Sequence, residues 1–305
     1  MGDLETFLRL RPRLLALAYR MLGATGEAEE VVQEAWLRWQ SPAATAVDRP
    51  EAWLATVVAR LSIDRLRQTR AARRAYIGPW LPEPWVGDVP APPEATAPDR
   101  RLDRAADLST AFLLLLQRLS PTERAAFLLR DAMGMDYAAI AATLRRSETA
   151  TRQIVHRARA RLAQPGTPRP ASPEVQQRLL IAFLRASRDG DATALQRLLA
   201  EGATWTADGG GRVRTALKVI QGRDRIIRLA LGLRSRRPPG LMEVPASWNG
   251  QPGILGLLAD VPWYAMQVAT DDDRIQAVHV LRNPDKLRHF TSVLSQPAIA
   301  LRHGG

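Results

Sequence analysis

The chain has no cysteine in 305 residues, which excludes disulfide bridges and thiolate metal sites. Its four histidines are scattered without the spacing of a ligand set, so no metal and no cofactor are expected. No apolar run approaches the roughly 18 residues that a membrane-spanning helix needs. The opening Met1-Gly-Asp-Leu-Glu has neither a basic stretch nor an apolar one behind it, so no signal peptide is expected, and the expected compartment is the cytoplasm. Only Lys218 and Lys286 are lysines. Nearly all the positive charge is therefore arginine, a bias that by itself carries no functional reading.

What is present points elsewhere. The length suggests two or three domains, and 46% hydrophobic residues suffice for real cores. A formal net charge of +12 favours a polyanionic partner, nucleic acid before membrane. Residues 1–74 carry 12 basic against 9 acidic side chains, and 118–162 carry 9 against 4. The stretch 75–117 between them reverses the balance, 3 against 6. Two DNA-facing modules joined by an acidic linker would have this layout.

Along the chain, Phe7, Leu10, Leu14, Leu17 and Met21 recur at helical spacing. Gly23 to Gly26 break that helix, and a second is expected from about Glu27 to Gln40, with Val32, Ala35, Trp36 and Trp39 on one side. Pro50 suits a first helical position with Asp48 as its cap. The helix that follows would bury Trp53, Leu54, Val57, Val58 and Leu61 and end in an arginine-rich tail. Seven prolines between 76 and 100 mark an extended linker, within it Tyr76-Ile-Gly-Pro-Trp-Leu-Pro-Glu-Pro84. A helix is expected at about 101–118. Ser120-Pro-Thr-Glu123 is a capping box with proline at the first turn. Asp136 and Ser147 open two further helices, the last running to Leu162. After a second proline-rich linker, two helices (173–188 and 191–200) lead into strands at 203–207, 253–259, 262–269 and 274–282, an α+β pattern with an antiparallel sheet.

On the helix that ends at Leu162, Thr151, Val155, Ala158 and Leu162 form the inward stripe. Arg152, Gln153, His156 and Arg157 fall on other faces, where a recognition helix needs long donors for guanine and adenine edges. Arg159 and Arg161 are better placed for phosphates. The plain alternative is an arginine stripe on a structural helix.

Ser120-Pro-Thr-Glu-Arg-Ala-Ala-Phe-Leu-Leu-Arg-Asp, Tyr137-Ala-Ala-Ile-Ala and His156-Arg-Ala-Arg-Ala-Arg-Leu162 resemble region 4 of the extracytoplasmic-function (ECF) sigma factors, group IV of the sigma-70 family. That resemblance implies reading of the −35 promoter element by Arg152, Gln153, His156, Arg157 and Arg159. Ala18-Tyr-Arg-Met-Leu-Gly23 and Glu27-Ala-Glu-Glu-Val-Val-Gln-Glu-Ala-Trp36 resemble region 2 of the same family. It implies docking on core RNA polymerase through Glu27, Glu30, Gln33 and Glu34, and holding of the −10 element by Arg60, Arg67, Arg70, Arg73 and Arg74.

The remainder resembles a SnoaL-like (NTF2-like) cone, through Leu180-Ile-Ala-Phe-Leu-Arg-Ala-Ser-Arg-Asp-Gly-Asp and Trp205-Thr-Ala-Asp-Gly-Gly-Gly-Arg212. With Trp80-Leu-Pro-Glu-Pro84 and Asn283-Pro-Asp-Lys-Leu287, it matches the J-like ECF subgroup carrying that extension. Arg212 stands where the subgroup usually has lysine, which keeps charge but changes hydrogen-bond geometry.

The implied layout is sigma region 2 at 1–75, an acidic proline-rich linker at 76–105, the region 4 helix-turn-helix at 106–163 and a linker at 164–173. A SnoaL-like regulatory domain at 174–290 and a tail at 291–305 complete it. The expected partners are core RNA polymerase and promoter DNA, not a membrane. The SnoaL-like domain would act in cis, in place of or beside an anti-sigma factor, through Trp80, Leu81, Pro82, Glu83, Pro84, Asp208, Gly209, Gly210, Gly211, Asn283, Pro284, Asp285, Lys286 and Leu287. Two other readings stay open. One is a one-component DNA-binding regulator with a ligand domain. The other is an enzyme built on Asp208, Tyr264 and His279 near Trp205, Trp248 and Trp263, although fold alone does not establish activity and no enzyme is expected.

Overall fold

The computed structural model describes residues 3–41, 47–87, 108–163, 171–271 and 273–294. The expected linker at 88–105, the first part of the helix expected from 101, the segment 164–170 and the end of the tail lie outside them. The chain divides into two compact units: residues up to 75 pack with 108–163, and 76–87 pack with the chain from 171 onward.

The first unit is all helical. α1 (Leu4–Leu22) is capped by Asp3, whose carboxylate accepts from the Glu5 and Thr6 amides, and ends at Gly23 with φ +69°. α2 (Thr25–Trp39) starts two residues before the expected Glu27, since Gly26 is tolerated inside its first turn. Phe7 stacks against Trp36 at 4.7 Å between ring centroids, which fixes α1 on α2. α3 (Pro50–Gln68) has Pro50 at its first turn, but its N-cap is Arg49 without a side-chain cap bond. The expected Asp48 cap is not formed. Its buried face is Leu54, Ala55, Val58, Ala59, Ser62, Ile63 and Leu66; Trp53, Val57 and Leu61 are only half-buried. A break at Thr69 sets off the arginine-rich tail as α4 (Arg70–Arg74).

Of the helix expected at 101–118, the described part is α5 (Thr110–Leu116), opened by Ser109, whose hydroxyl accepts from the Phe112 amide. α6 (Pro121–Asp131) carries the expected capping box between Ser120 and Glu123. α7 (Tyr137–Leu144) is capped by Asp136 and α8 (Glu148–Leu162) by Ser147. Thr151, Val155, Ala158 and Leu162 are all buried.

Polar bonds tie the two halves of this unit. Arg124, 5% exposed, donates to the Leu116 carbonyl at 2.9 Å and the Met21 carbonyl at 2.5 Å, which satisfies the C-terminal end of α1. Burial, with Arg73 nearby, lowers its pKa to about 9. Arg13 reaches the carbonyls of Ala132 and Met133, each at 3.3 Å.

The second unit is an α+β domain. α9 (Pro173–Asp189) and α10 (Ala192–Leu198) lead directly into β1 (Leu199–Asp208). β2 (Ile220–Gln221), α11 (Arg223–Arg234), β3 (Met242–Trp248), β4 (Gln251–Leu258), β5 (Val261–Asp271), β6 (Arg274–Leu281) and α12 (Pro284–Leu294) follow. The strands form one sheet in the order β2-β1-β6-β5-β4-β3.

The sheet is mixed, not antiparallel as expected: β1 pairs with β6 in parallel, with Trp205 beside Val278 and Asp208 beside Leu281. The intervening α11 and the four strands β2 to β5 supply the long crossover that a parallel pair requires. β2, α11, β3 and α12 add to the expected pattern, and α12 carries helix through Leu294, four residues into the expected tail. Pro245 hides β3 from a pattern reading; at the sheet edge a proline costs little.

The inner sheet face carries Trp205, Ala207, Ile254, Tyr264, Met266, Val268, Val278 and Val280, packed against Leu180, Phe183 and Leu184 of α9 and Ile226 and Ala230 of α11. The outer face carries Thr206, Asp208, Gln267 and His279, and α12 packs on this sheet through β5.

Candidate functional site

Parallel pairing of β1 and β6 makes the chain leave both strands at the same end of the sheet. That brings the turn after Asp208 beside the turn after Leu281, two segments more than 70 residues apart in sequence. Asp208 is fully buried there. Its Oδ1 accepts from the Tyr76 hydroxyl at 2.5 Å and the Gly210 amide at 3.0 Å. Its Oδ2 accepts from the Leu81 amide at 2.9 Å and from Lys286 Nζ at 2.8 Å. Lys286 also donates to the Leu81 carbonyl at 2.5 Å and lies 4.2 Å from the centroid of the Trp80 ring. Both backbone groups of Leu81 are therefore read by one buried ion pair.

Neighbouring groups extend the network. Asn283 Nδ2 donates to the Tyr76 hydroxyl at 2.9 Å, and its Oδ1 accepts from the Asp285 amide at 3.0 Å. Desolvation and the adjacent Asp208 carboxylate raise the Tyr76 pKa well above the ordinary phenol range, so this hydroxyl stays a donor. The glycines are required by proximity. Gly210 (φ +60°) has no room for a Cβ against Asn283, and a Cβ on Gly211 (φ +71°) would sit 3.0 Å from Ile77. Gly209 would press on the Val213 carbonyl.

Farther along, Trp85 and Asn249 exchange two 2.8 Å bonds, Asn249 N to the Trp85 carbonyl and Trp85 N to Asn249 Oδ1. Val86 bridges to Trp248. Glu83 faces His289 at 3.5 Å and Arg212 faces Asp285 at 3.5 Å. Leu81, Pro82 and Pro84 are buried, as is Leu287; Pro284 opens α12.

The motifs at 76–84, 208–211 and 283–287 thus meet. Tyr76, Trp85 and Asn249 were absent from the expected contact set. Tyr76 opens the proline-rich Tyr76–Pro84 motif, and Asn249-Gly250 is a hairpin signal, with both residues at positive φ.

The enzyme reading needed Asp208, Tyr264 and His279 together. Tyr264 lies on the inner face of the sheet, His279 and Asp208 on the outer. Among the described residues no group of acids and histidines could hold a metal ion.

On α8, Arg152, His156, Gln153 and Arg157 are exposed and span an arc of about 140° at about 100° per residue. Arg152 pairs with Glu148 and stacks on Tyr137 at 4.7 Å, with Arg130 at the same distance from that ring. Arg159 is held by Asp131, and Arg161 by Glu123 at 2.9 Å.

Arg67, Arg70 and Arg74 are exposed, Arg67 lying 3.5 Å from Asp64. Arg73 donates to the Leu22 carbonyl at 2.6 Å. Arg60 binds the carbonyls of Thr143 and Ala142, both at 2.9 Å, at the C-terminal end of α7. On α2, Glu30 and Gln33 are exposed and Glu27 and Glu34 half-buried; Glu30 meets Arg65 at 2.5 Å and Glu34 meets Arg38 at 3.2 Å.

Two family models match the helical unit: sigma-70 region 2 over residues 6–72, and sigma-70 region 4 over residues 109–162. The whole chain is similar to the ECF RNA polymerase sigma factor SigJ of Mycobacterium tuberculosis, 38% identical over 299 residues and covering 93% of each chain. The probable ECF RNA polymerase sigma factor SigI of the same species is 29% identical, with 91% of this chain and 92% of that protein covered. The crystal structure of M. tuberculosis SigJ superposes with a TM-score of 0.73 at 33% identity, over 94% of this chain and 98% of that one. No helix among the described residues is long and apolar enough to cross a membrane. With two sigma-70 modules, an α+β domain behind them and relatives matched nearly end to end, the chain belongs to the ECF sigma factors of the sigma-70 family, which direct RNA polymerase to specific promoters.

Proposed function

We propose that the C-terminal domain regulates this sigma factor in cis by holding residues 76–87, the start of the segment that joins the two promoter-reading modules. The observation that carries this reading is the buried Asp208–Lys286 pair closed on the Leu81 backbone. A buried ion pair is poor evidence of stability, because desolvation offsets much of its attraction. It is a good device for fixing one segment in one register. Pro79, Pro82 and Pro84 lower the entropy lost when that segment is ordered, which otherwise costs about 1–2 kcal/mol per residue.

In this reading residues 1–75 bind core polymerase through Glu27, Glu30, Gln33 and Glu34 and hold the −10 element with Arg67, Arg70, Arg73 and Arg74. Residues 106–163 read −35 with Arg152, Gln153, His156, Arg157 and Arg159, and residues 174–290 regulate. The exposure of the α8 arc supports its assignment. Arg60 joins the −10 set only once it leaves the α7 carbonyls. No turnover is expected, since the candidate acid–base groups lie on opposite faces of the sheet. A one-component regulator without polymerase is not favoured by the family.

The test is run-off transcription on core polymerase with the full chain and with a chain ended after residue 172. Transcription should change while core binding persists. Identical transcription by the two chains would remove the case for cis regulation.

A further inference from the structure

A cavity of about 270 Å³ lies between the inner sheet face, α9 and α11. Its floor is apolar: Phe183, Trp205, Leu229, Met266 and Val280, with the Phe183 and Trp205 rings 6.4 Å apart. Six arginines also line it: Arg188, Arg214, Arg234, Arg236, Arg237 and Arg282. Against them stands one carboxylate, Glu243. That carboxylate is already engaged. Arg237 pairs with it, Arg188 lies at 3.6 Å, and the Tyr264 hydroxyl donates to it at 2.6 Å. One acid cannot balance six guanidiniums, so the cavity is strongly electropositive.

Arg282 is the most telling of these side chains. Its guanidinium lies 4.4 Å from the Trp263 ring centroid, and its Nε is buried without a hydrogen-bond partner among the described residues. A buried donor left in this way is costly unless an acceptor arrives. The cavity is also separate from the linker anchor, whose Asp208 lies on the outer face of the sheet. The two are nonetheless joined through the chain, since Ala207 and Arg282 line the cavity while the Arg282 amide donates to the Asp208 carbonyl at 2.7 Å.

We propose that this cavity binds a small organic acid with an apolar body, its carboxylate on Arg282 and its body over Phe183 and Trp205. Inorganic phosphate would meet the charge but leave the apolar floor unfilled.

The test titrates the full-length chain with phenylacetate, with 2-phenylethanol as its neutral counterpart and with inorganic phosphate. Calorimetry provides the readout. Phenylacetate should bind the wild-type chain, with the alcohol and phosphate each about tenfold weaker or more, as expected for a charge-assisted bond. Arg282→Gln should erase the preference for the acid over the alcohol. Leu233→Trp, at an exposed position of the cavity mouth, should block both, with thermal unfolding confirming that each variant is folded. No binding of phenylacetate, equal binding of acid and alcohol, phosphate binding as tightly as the acid, or an unchanged preference in folded Arg282→Gln would each overturn the assignment.

Discussion

Lys286 and Asp208 have side chains only 7% and 0% exposed, so neither charge is stabilised by water. Each depends on the other and on the Leu81 backbone. Lys286→Met should therefore cost about 3–5 kcal/mol of stability, because it strands a buried carboxylate. The double variant Asp208→Leu with Lys286→Met should recover a large part of that loss. Denaturant unfolding of the four chains of this cycle checks it; a loss below about 1 kcal/mol for Lys286→Met would mean that solvent reaches the pair.

His279 offers a pH test of the same domain. Burial lowers its pKa from 6.5 to about 4, so the folded chain refuses a proton that the unfolded chain accepts. Its contribution is neutral above pH 6.5 and becomes destabilising as pH falls from 6.5 to 4, by about 3 kcal/mol in total. His279→Gln should flatten the stability–pH curve across that window. An unchanged slope would show that His279 is not the group responsible.

At the scale of elements, α8 presents a contiguous arc whose first member, Arg152, is pre-positioned by Glu148 and Tyr137. Arg152→Ala should relax base preference at one promoter position by about 1–3 kcal/mol, whereas Arg159→Ala should weaken binding evenly and lower the salt slope by about one. Binding isotherms on a set of single-base promoter variants at several salt concentrations separate the two. The helices and caps of this unit were legible because Ser120, Asp136 and Ser147 act locally, within three residues. The sheet was less so. Parallel pairing of β1 with β6 is a long-range choice that the alternation within either strand does not record, and Pro245 disguises an edge strand.

The candidate contact set shows the same division. The motifs containing Leu81, Asp208 and Lys286 stand out as segments, but that one ion pair reads both backbone groups of Leu81, Asp208 taking its amide and Lys286 its carbonyl, follows only from the pairing register. Arg60 shows the limit from the other side: its position in an arginine-rich helix gave no sign that it would close on the carbonyls of α7.

At the scale of the molecule, the first unit packs its two sigma modules together through Arg13, Arg60 and Arg124. Two promoter elements nominally 25 base pairs apart are separated by about 85 Å at about 3.4 Å per base pair. Modules sharing a single core cannot reach both, so in the proposed mechanism initiation requires them to part, and the segment between them sets how freely they do so. The second unit grips the start of that segment. The most direct test is run-off transcription on core polymerase by full-length Lys286→Met, with limited proteolysis reporting whether 76–87 has been released. The account predicts released segments and a transcript yield matching that of the chain ended after 172. Wild-type yield from a chain whose 76–87 segment is demonstrably released would contradict it.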